Sequence, residues 1–254
     1  MIGHHGKGSV TRRCTFCHGE IDASAPPEHV IPKWIGREYP NATFTRHDRQ
    51  GRPIRSKTID ITVDTVCEDC NHHWMSDLEA AASPMLKPML KGTRLGLTVQ
   101  QQALLAQWAT KTAMTLDQGF VPRERVFSPG VCKQLMERKL PPVGTGVQLA
   151  HYIGTGDFLT VVHNDLYRRG IPVGTRPGTP DGHRTAIRID KLILEVNMPE
   201  DATTRISHPD IVDIRDVLVR VWPSTDTTIW PPRYSFGEQT WESFVAPDTR
   251  DPPE

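Results

Sequence analysis

The chain has 254 residues, and its 30 lysines and arginines are balanced by 30 aspartates and glutamates. Zero net charge removes any argument from global charge for a nucleic-acid or membrane partner, though it leaves local patches open. With 37% hydrophobic and 24% charged residues, the composition is that of a folded chain. No apolar run approaches the roughly 20 residues needed to span a bilayer, and Met1 to Val10 has no apolar signal-peptide core. A soluble, cytoplasmic protein without membrane contact is expected.

A loop-rich stretch runs to about Val66. Within it, Val30 to Ile35 suits a short helix or turn, and Ile59 to Val63 alternates like a strand running into Cys67. After Cys70 a helix carries Trp74, Leu78 and Ala81 on one face, and Ser83-Pro84 reads as a restart that ends at Gly92. Thr98 and Gln101 form a capping-box pattern opening the clearest helix, with Leu104, Leu105, Trp108 and Leu116 as its apolar face. Ser128-Pro129 starts another helix that stops before Pro141-Pro142. From Gly146 the period becomes strand-like, over Val147–Ile153, Phe158–Val162, Ala186–Val196 and Val217–Trp222, with a glycine- and proline-rich loop over Gly170–Gly182. The expected fold is α+β: an N-terminal zinc-stabilised module over residues 1–92, an α+β domain over 93–245, and a polar tail over 246–254.

Four of the five cysteines form two C-x-x-C pairs, Cys14/Cys17 and Cys67/Cys70. One such pair is shared with redox motifs, but two favour a structural Zn²⁺ bound by four thiolates at about 2.3 Å. Cys132 stands alone in a helical stretch and reads as a small buried apolar residue. Between the pairs lies Glu28-His29-Val30-Ile31-Pro32, and the second pair runs on into Asn71-His72-His73-Trp74. An acid, a histidine and an amide around a zinc knuckle suit hydrolysis of a phosphodiester. The imidazole can take a proton from water, and hard oxygen ligands can hold Mg²⁺ or another divalent cation. Each residue also has a plainer role: His29 capping a turn, Asn71 capping the next helix, His72 and His73 on a solvated face, Trp34 and Trp74 packing a small module.

The pattern C-x-x-C, "EHVIPKW", "CEDCNHHWMSDLE" resembles the zinc-stabilised branch of the HNH endonucleases, the treble-clef-like ββα-metal nucleases, over Cys14 to Glu79. "LLAQWATKTAM" is similar to the same group with less specificity. The resemblance implies a DNA-cutting enzyme in which His29 is the general base. Glu28 and Asn71 would be ligands of the catalytic cation, with His73 as a reserve ligand, and the four cysteines would be ligands of zinc. The family's middle asparagine falls at Thr62, a departure that leaves the orientation of His29 to Asp64, Asn41 or a backbone carbonyl. The segment Lys33 to Lys57 holds seven cations (Lys33, Arg37, Arg46, Arg49, Arg52, Arg55, Lys57) against Glu38 and Asp48, a local balance of seven minus two, or plus five. Such a segment can follow a phosphate backbone. The competing expectation is a zinc-stabilised module that binds DNA or protein without cutting.

Overall fold

The largest sheet draws its strands from both halves of the chain. The structure, a computed structural model, describes residues 12–47, 53–57, 59–120, 125–166, 182–199 and 217–245. Two of the seven cations, Arg49 and Arg52, most of the 170–182 loop and the 246–254 tail lie outside the described residues. Among those described, no helix is long and apolar enough to cross a membrane.

An isolated bridge between Arg13 and Glu20 folds the chain around the first cysteine pair. Strand β1 (Glu28–His29) then pairs antiparallel with a strand that arrives only after residue 61. Helix α1 (Lys33–Glu38) and a hairpin of β2 (Phe44–His47) and β3 (Pro53–Ser56) come between. Its partner β4 (Thr62–Val63) sets Glu28 opposite Val63 and His29 opposite Thr62. The strand expected from residue 59 is therefore confined to its last two residues.

Next come α2 (Glu68–Cys70), a π-helical turn (Asn71–Met75) and α3 (Ser76–Leu90) in unbroken succession. The helix begins a turn earlier than expected, because Cys67 is its N-cap and its Sγ accepts the Cys70 amide at 3.5 Å. Asn71 is thus inside the helix and does not cap it. Ser83-Pro84 makes no restart either, since Pro84 and Pro88 both lie within α3. An internal proline costs about 3 kcal/mol or more. Burial of Leu78, Ala82, Met85, Leu86, Met89 and Leu90 along one face, at roughly 1.5–3 kcal/mol for each large side chain, outweighs that cost.

Helix α4 (Val99–Asp117) opens with the expected capping box between Thr98 and Gln101. Instead of one apolar face, every residue from Leu105 to Asp117 is buried, because α4 lies between α3 and the large sheet. Its internal threonines stay satisfied by donating to carbonyls four residues back: Thr110 to Ala106, Thr112 to Trp108 and Thr115 to Lys111. Strand β5 (Leu95–Leu97) precedes α4, and α5 (Pro129–Arg138) follows it, capped by Ser128 with Cys132 fully buried as expected.

The remaining strands are β6 (Gly146–Tyr152), β7 (Leu159–Leu166), β8 (Gly182–Ile189), β9 (Leu192–Pro199), β10 (Val219–Trp222), β11 (Thr228–Trp230) and β12 (Ser235–Phe236), and α6 (Glu238–Val245) follows them. The run expected over 186–196 is two strands, split by a turn in which Asp190 takes φ 49°. The sheet order is β10-β6-β9-β8-β7-β2-β3, with β12 added beside β6. Strand β2 runs parallel to β7, with Phe44 opposite Leu159. The expected separation at 92/93 therefore does not hold: the hairpin inside the cysteine-bracketed segment completes the sheet of the second half. One buried cluster extends from Cys14 to Trp230. We predict that a fragment of residues 1–92, with zinc added, shows no cooperative thermal transition by circular dichroism, because α3 and β2 lose the surfaces that cover them.

Candidate metal centre and catalytic pocket

The sulfur atoms of Cys14, Cys17, Cys67 and Cys70 all lie within 4.8 Å of one another, with Cys17 and Cys67 3.5 Å apart. Four ligands at about 2.3 Å around a tetrahedral ion stand about 3.8 Å from each other, so the quartet fits a metal ion such as zinc. The Cys14 thiol is pulled down to about 4, chiefly by the hydrogen bond from Cys70, while that shared proton and burial push Cys70 up. Burial raises Cys67 to about 11. Metal-free, the quartet supports one thiolate easily, and further deprotonation needs a cation among the sulfurs. The ring of Trp74 meets Phe16 edge-on at 5.1 Å beside this cluster, a packing role as expected.

The two residues of β1 face opposite ways, as strand geometry requires. His29 is partly exposed and its Nε2 lies 3.1 Å from Oδ1 of Asp60. Both border a cavity of about 460 Å³ whose lining includes Lys33 and Arg37, one turn apart on α1. The carboxylate beside His29 is thus that of Asp60 and none of the groups expected: Asp64 is bound to Arg12 at 2.8 Å, and Asn41 is exposed. The signal was available in the strand period, since Asp60 stands two residues before Thr62, the residue opposite His29.

Glu28 is only 5% exposed. Burial lifts its carboxyl to about 7, opposed by the Lys111 ammonium and reinforced by the Glu79 carboxylate. Lys111, from the centre of α4, has no exposed side-chain surface, and its Nζ lies 2.7 Å from Oε1 of Glu79 on α3. Three sequence segments of the motif thereby converge: "EHVIPKW" through Glu28, "CEDCNHHWMSDLE" through Glu79 and "LLAQWATKTAM" through Lys111. No local motif announces the placement of Glu79 and Lys111 beside Glu28. Their sequence signal was a charged residue on the buried side of each helix.

Asn71 is half-buried at the start of the π turn, and its carbonyl accepts the Ser76 amide five residues on. Such turns recur at functional sites. His72 and His73 are exposed, and their Nδ1 atoms are engaged by Glu68 (3.5 Å) and Asp69 (3.1 Å). Among the described residues, no second group of three or more His, Cys, Asp or Glu side chains is gathered to hold a metal. Of the seven cations, Lys33 and Arg37 line the His29 cavity. Arg55 and Lys57 are exposed on or just after β3, at the sheet edge, and Arg46 is on β2.

Comparison of the chain with protein-family models, with curated proteins and with solved structures finds no match.

Two predictions follow from this geometry. Purified protein should carry one equivalent of zinc by elemental analysis, and Cys70→Ser should lose both the metal and most of the thermal stability, because structural zinc supplies folding free energy directly. Glu28, raised when folded, favours the folded state while it keeps its proton, and that stability is lost as pH rises through about 7. Melting temperature between about pH 5 and pH 8 should therefore fall more steeply in the natural protein than in Glu28→Gln.

Proposed function

We propose that the chain is a metal-dependent, HNH-type endonuclease that hydrolyses phosphodiester bonds of DNA, with His29 as general base. The observation that carries this reading is the His29–Asp60 pair at the rim of a cavity flanked by Lys33 and Arg37. A carboxylate at Nε2 selects the tautomer protonated there, which leaves the Nδ1 lone pair to take a proton from water. The resulting imidazolium is stabilised by the same carboxylate. Lys33 and Arg37 supply positive charge for the phosphate as water attacks phosphorus and the bond to the leaving oxygen breaks. The resemblance makes Glu28 and Asn71 the residues that would hold Mg²⁺ or a similar cation for the leaving oxygen. Glu28, however, turns to the buried side with Glu79 and Lys111 and keeps its proton up to about pH 7, so as placed it does not fit a cation beside His29. A ββα-metal arrangement is supported by the order of parts: the knuckle, the β1–β4 pair with Glu28 and His29, then the helix entered at Cys67.

The competing reading, a zinc-stabilised module that binds DNA or protein without cutting, is favoured by Thr62 standing opposite His29 where the family has asparagine. Incubation of supercoiled plasmid and of heat-denatured DNA with Mg²⁺ or Mn²⁺ separates the two. Cleavage is expected to fall about 10²–10⁴-fold in His29→Ala, and to fall less in Asp60→Asn, which keeps the base but loses its orienting charge. Cutting that survives His29→Ala rejects the mechanism, and tight binding without cutting by the natural protein establishes the module.

A further inference from the structure

The cavity beside His29 is larger than an attacking water and one phosphate require, and most of its wall is unsuited to either. At about 460 Å³ it is an open recess of the size that takes a small organic group. Ile31, Pro32, Pro40, Ala42 and Ile59 give it carbon-rich walls, and Tyr39, whose ring packs on Phe158 at 4.2 Å on another side, adds an aromatic edge. Its charged and imidazole side chains are His29, Asp60, Lys33 and Arg37, and the Tyr39 hydroxyl is buried. An apolar recess with one aromatic side and two adjoining cations is complementary to a flat heterocycle carrying a phosphate. Neither a bare phosphate nor a neutral peptide matches both halves.

We infer that this recess takes one unstacked nucleotide of a single-stranded nucleic acid, next to the phosphodiester presented to His29. The inference rests on the nuclease reading for the role of His29, but the recess and its occupant stand on their own geometry. In a duplex, the bases are stacked and paired inside the helix, and one of them must be extruded before it can enter such a recess. In a single strand the base is already available. Placing one base against an aromatic side chain is worth about 5- to 150-fold in affinity, with little dependence on sequence. The preferred substrate is therefore a single strand, a flap or a gap. Lys33 and Arg37 add a salt-dependent contribution to both forms.

The test uses full-length, zinc-loaded protein. Fluorescence anisotropy without added Mg²⁺ compares a fluorescein-labelled single strand with the blunt duplex of the same length and sequence. The single strand is expected to bind at least about 10-fold more tightly. Two variants then fill the recess from different walls. Ala42→Phe introduces a ring, and Gly36→Leu starts from a position where an added Cβ meets only Ile59 carbons at 3.6 Å. Either variant that keeps its zinc and its melting temperature should bring the two affinities to near equality. Equal affinities in the natural protein, or a single-strand advantage intact in both folded variants, overturn the inference. The nuclease reading is scored separately by adding Mn²⁺. Preference without any cutting refutes that reading and leaves the recess, whereas equal cutting and equal binding of both forms refute the recess alone.

Discussion

The four-sulfur cluster is the constraint on which the rest of the candidate site depends. It joins positions as far apart as Cys14 and Cys70, and the Cys17 and Cys67 sulfurs are in contact. Everything that carries the proposed chemistry lies between those ends or directly after them. The pairing of β1 with β4 amounts to two residues on each side, far below what a free hairpin needs for stability in water. It persists because the chain is clamped on both flanks: by the knuckle at Cys14 to Gly19, where Cys14 donates to the Gly19 carbonyl at 2.8 Å, and by the helix entered at Cys67. The apparent free energy of a structural zinc, about 10–16 kcal/mol, exceeds what such a short ladder could contribute. Metal binding and site geometry are therefore one equilibrium.

Helix α4 shows a second constraint. A helix buried all round would be most stable as a run of apolar residues, yet this one places Lys111 at its centre without exposed surface, paired to Glu79. A buried ion pair seldom stabilises a fold relative to apolar residues of the same size, because the desolvation of both charges is only repaid by good geometry. Removing one partner is far worse than removing both. The arrangement is explained better by Glu28 than by stability. A carboxylate that is 5% exposed, raised to about 7 by burial, has Lys111 as the main charge acting to keep it ionised. The ion pair thus belongs electrostatically to the hairpin, although it sits on two helices.

What the sequence made legible follows from the range of each interaction. The cysteine quartet, the Thr98 capping box, the Ser128 cap and the burial of Cys132 are local patterns whose chemistry is written within a few residues. The partnership of β2 with β7 was not legible, because it joins Phe44 to Leu159 through a parallel pairing that no local period announces. That single contact is why a boundary at 92/93 misdescribes the chain. Pro84 misled for the opposite reason: its local signal is strong, and only the apolar face of α3 overrides it. Asp60 is not announced by the sequence because Ile59 and Ile61 mark an alternating strand, and it is the exposed member of that alternation that stands beside His29.

Register is where these constraints meet. Because side chains alternate along a strand, a slip of one residue between β1 and β4 would exchange the directions of Glu28 and His29. The slipped state would put the imidazole against Glu79 and Lys111, and the carboxylate over the cavity beside Lys33 and Arg37. A ladder of two pairs cannot forbid that by itself. The chain on one side of it does: only three residues, 64–66, separate β4 from Cys67, and Cys67 is fixed at once by the sulfur cluster and by its place as the cap of the helix. The Thr65 carbonyl in that connection also accepts the Thr15 amide of the first knuckle at 2.9 Å. A slip would have to stretch this link and withdraw a sulfur from the quartet together. The cluster therefore decides which of two adjacent residues meets the core and which meets the cavity, without itself lining that cavity.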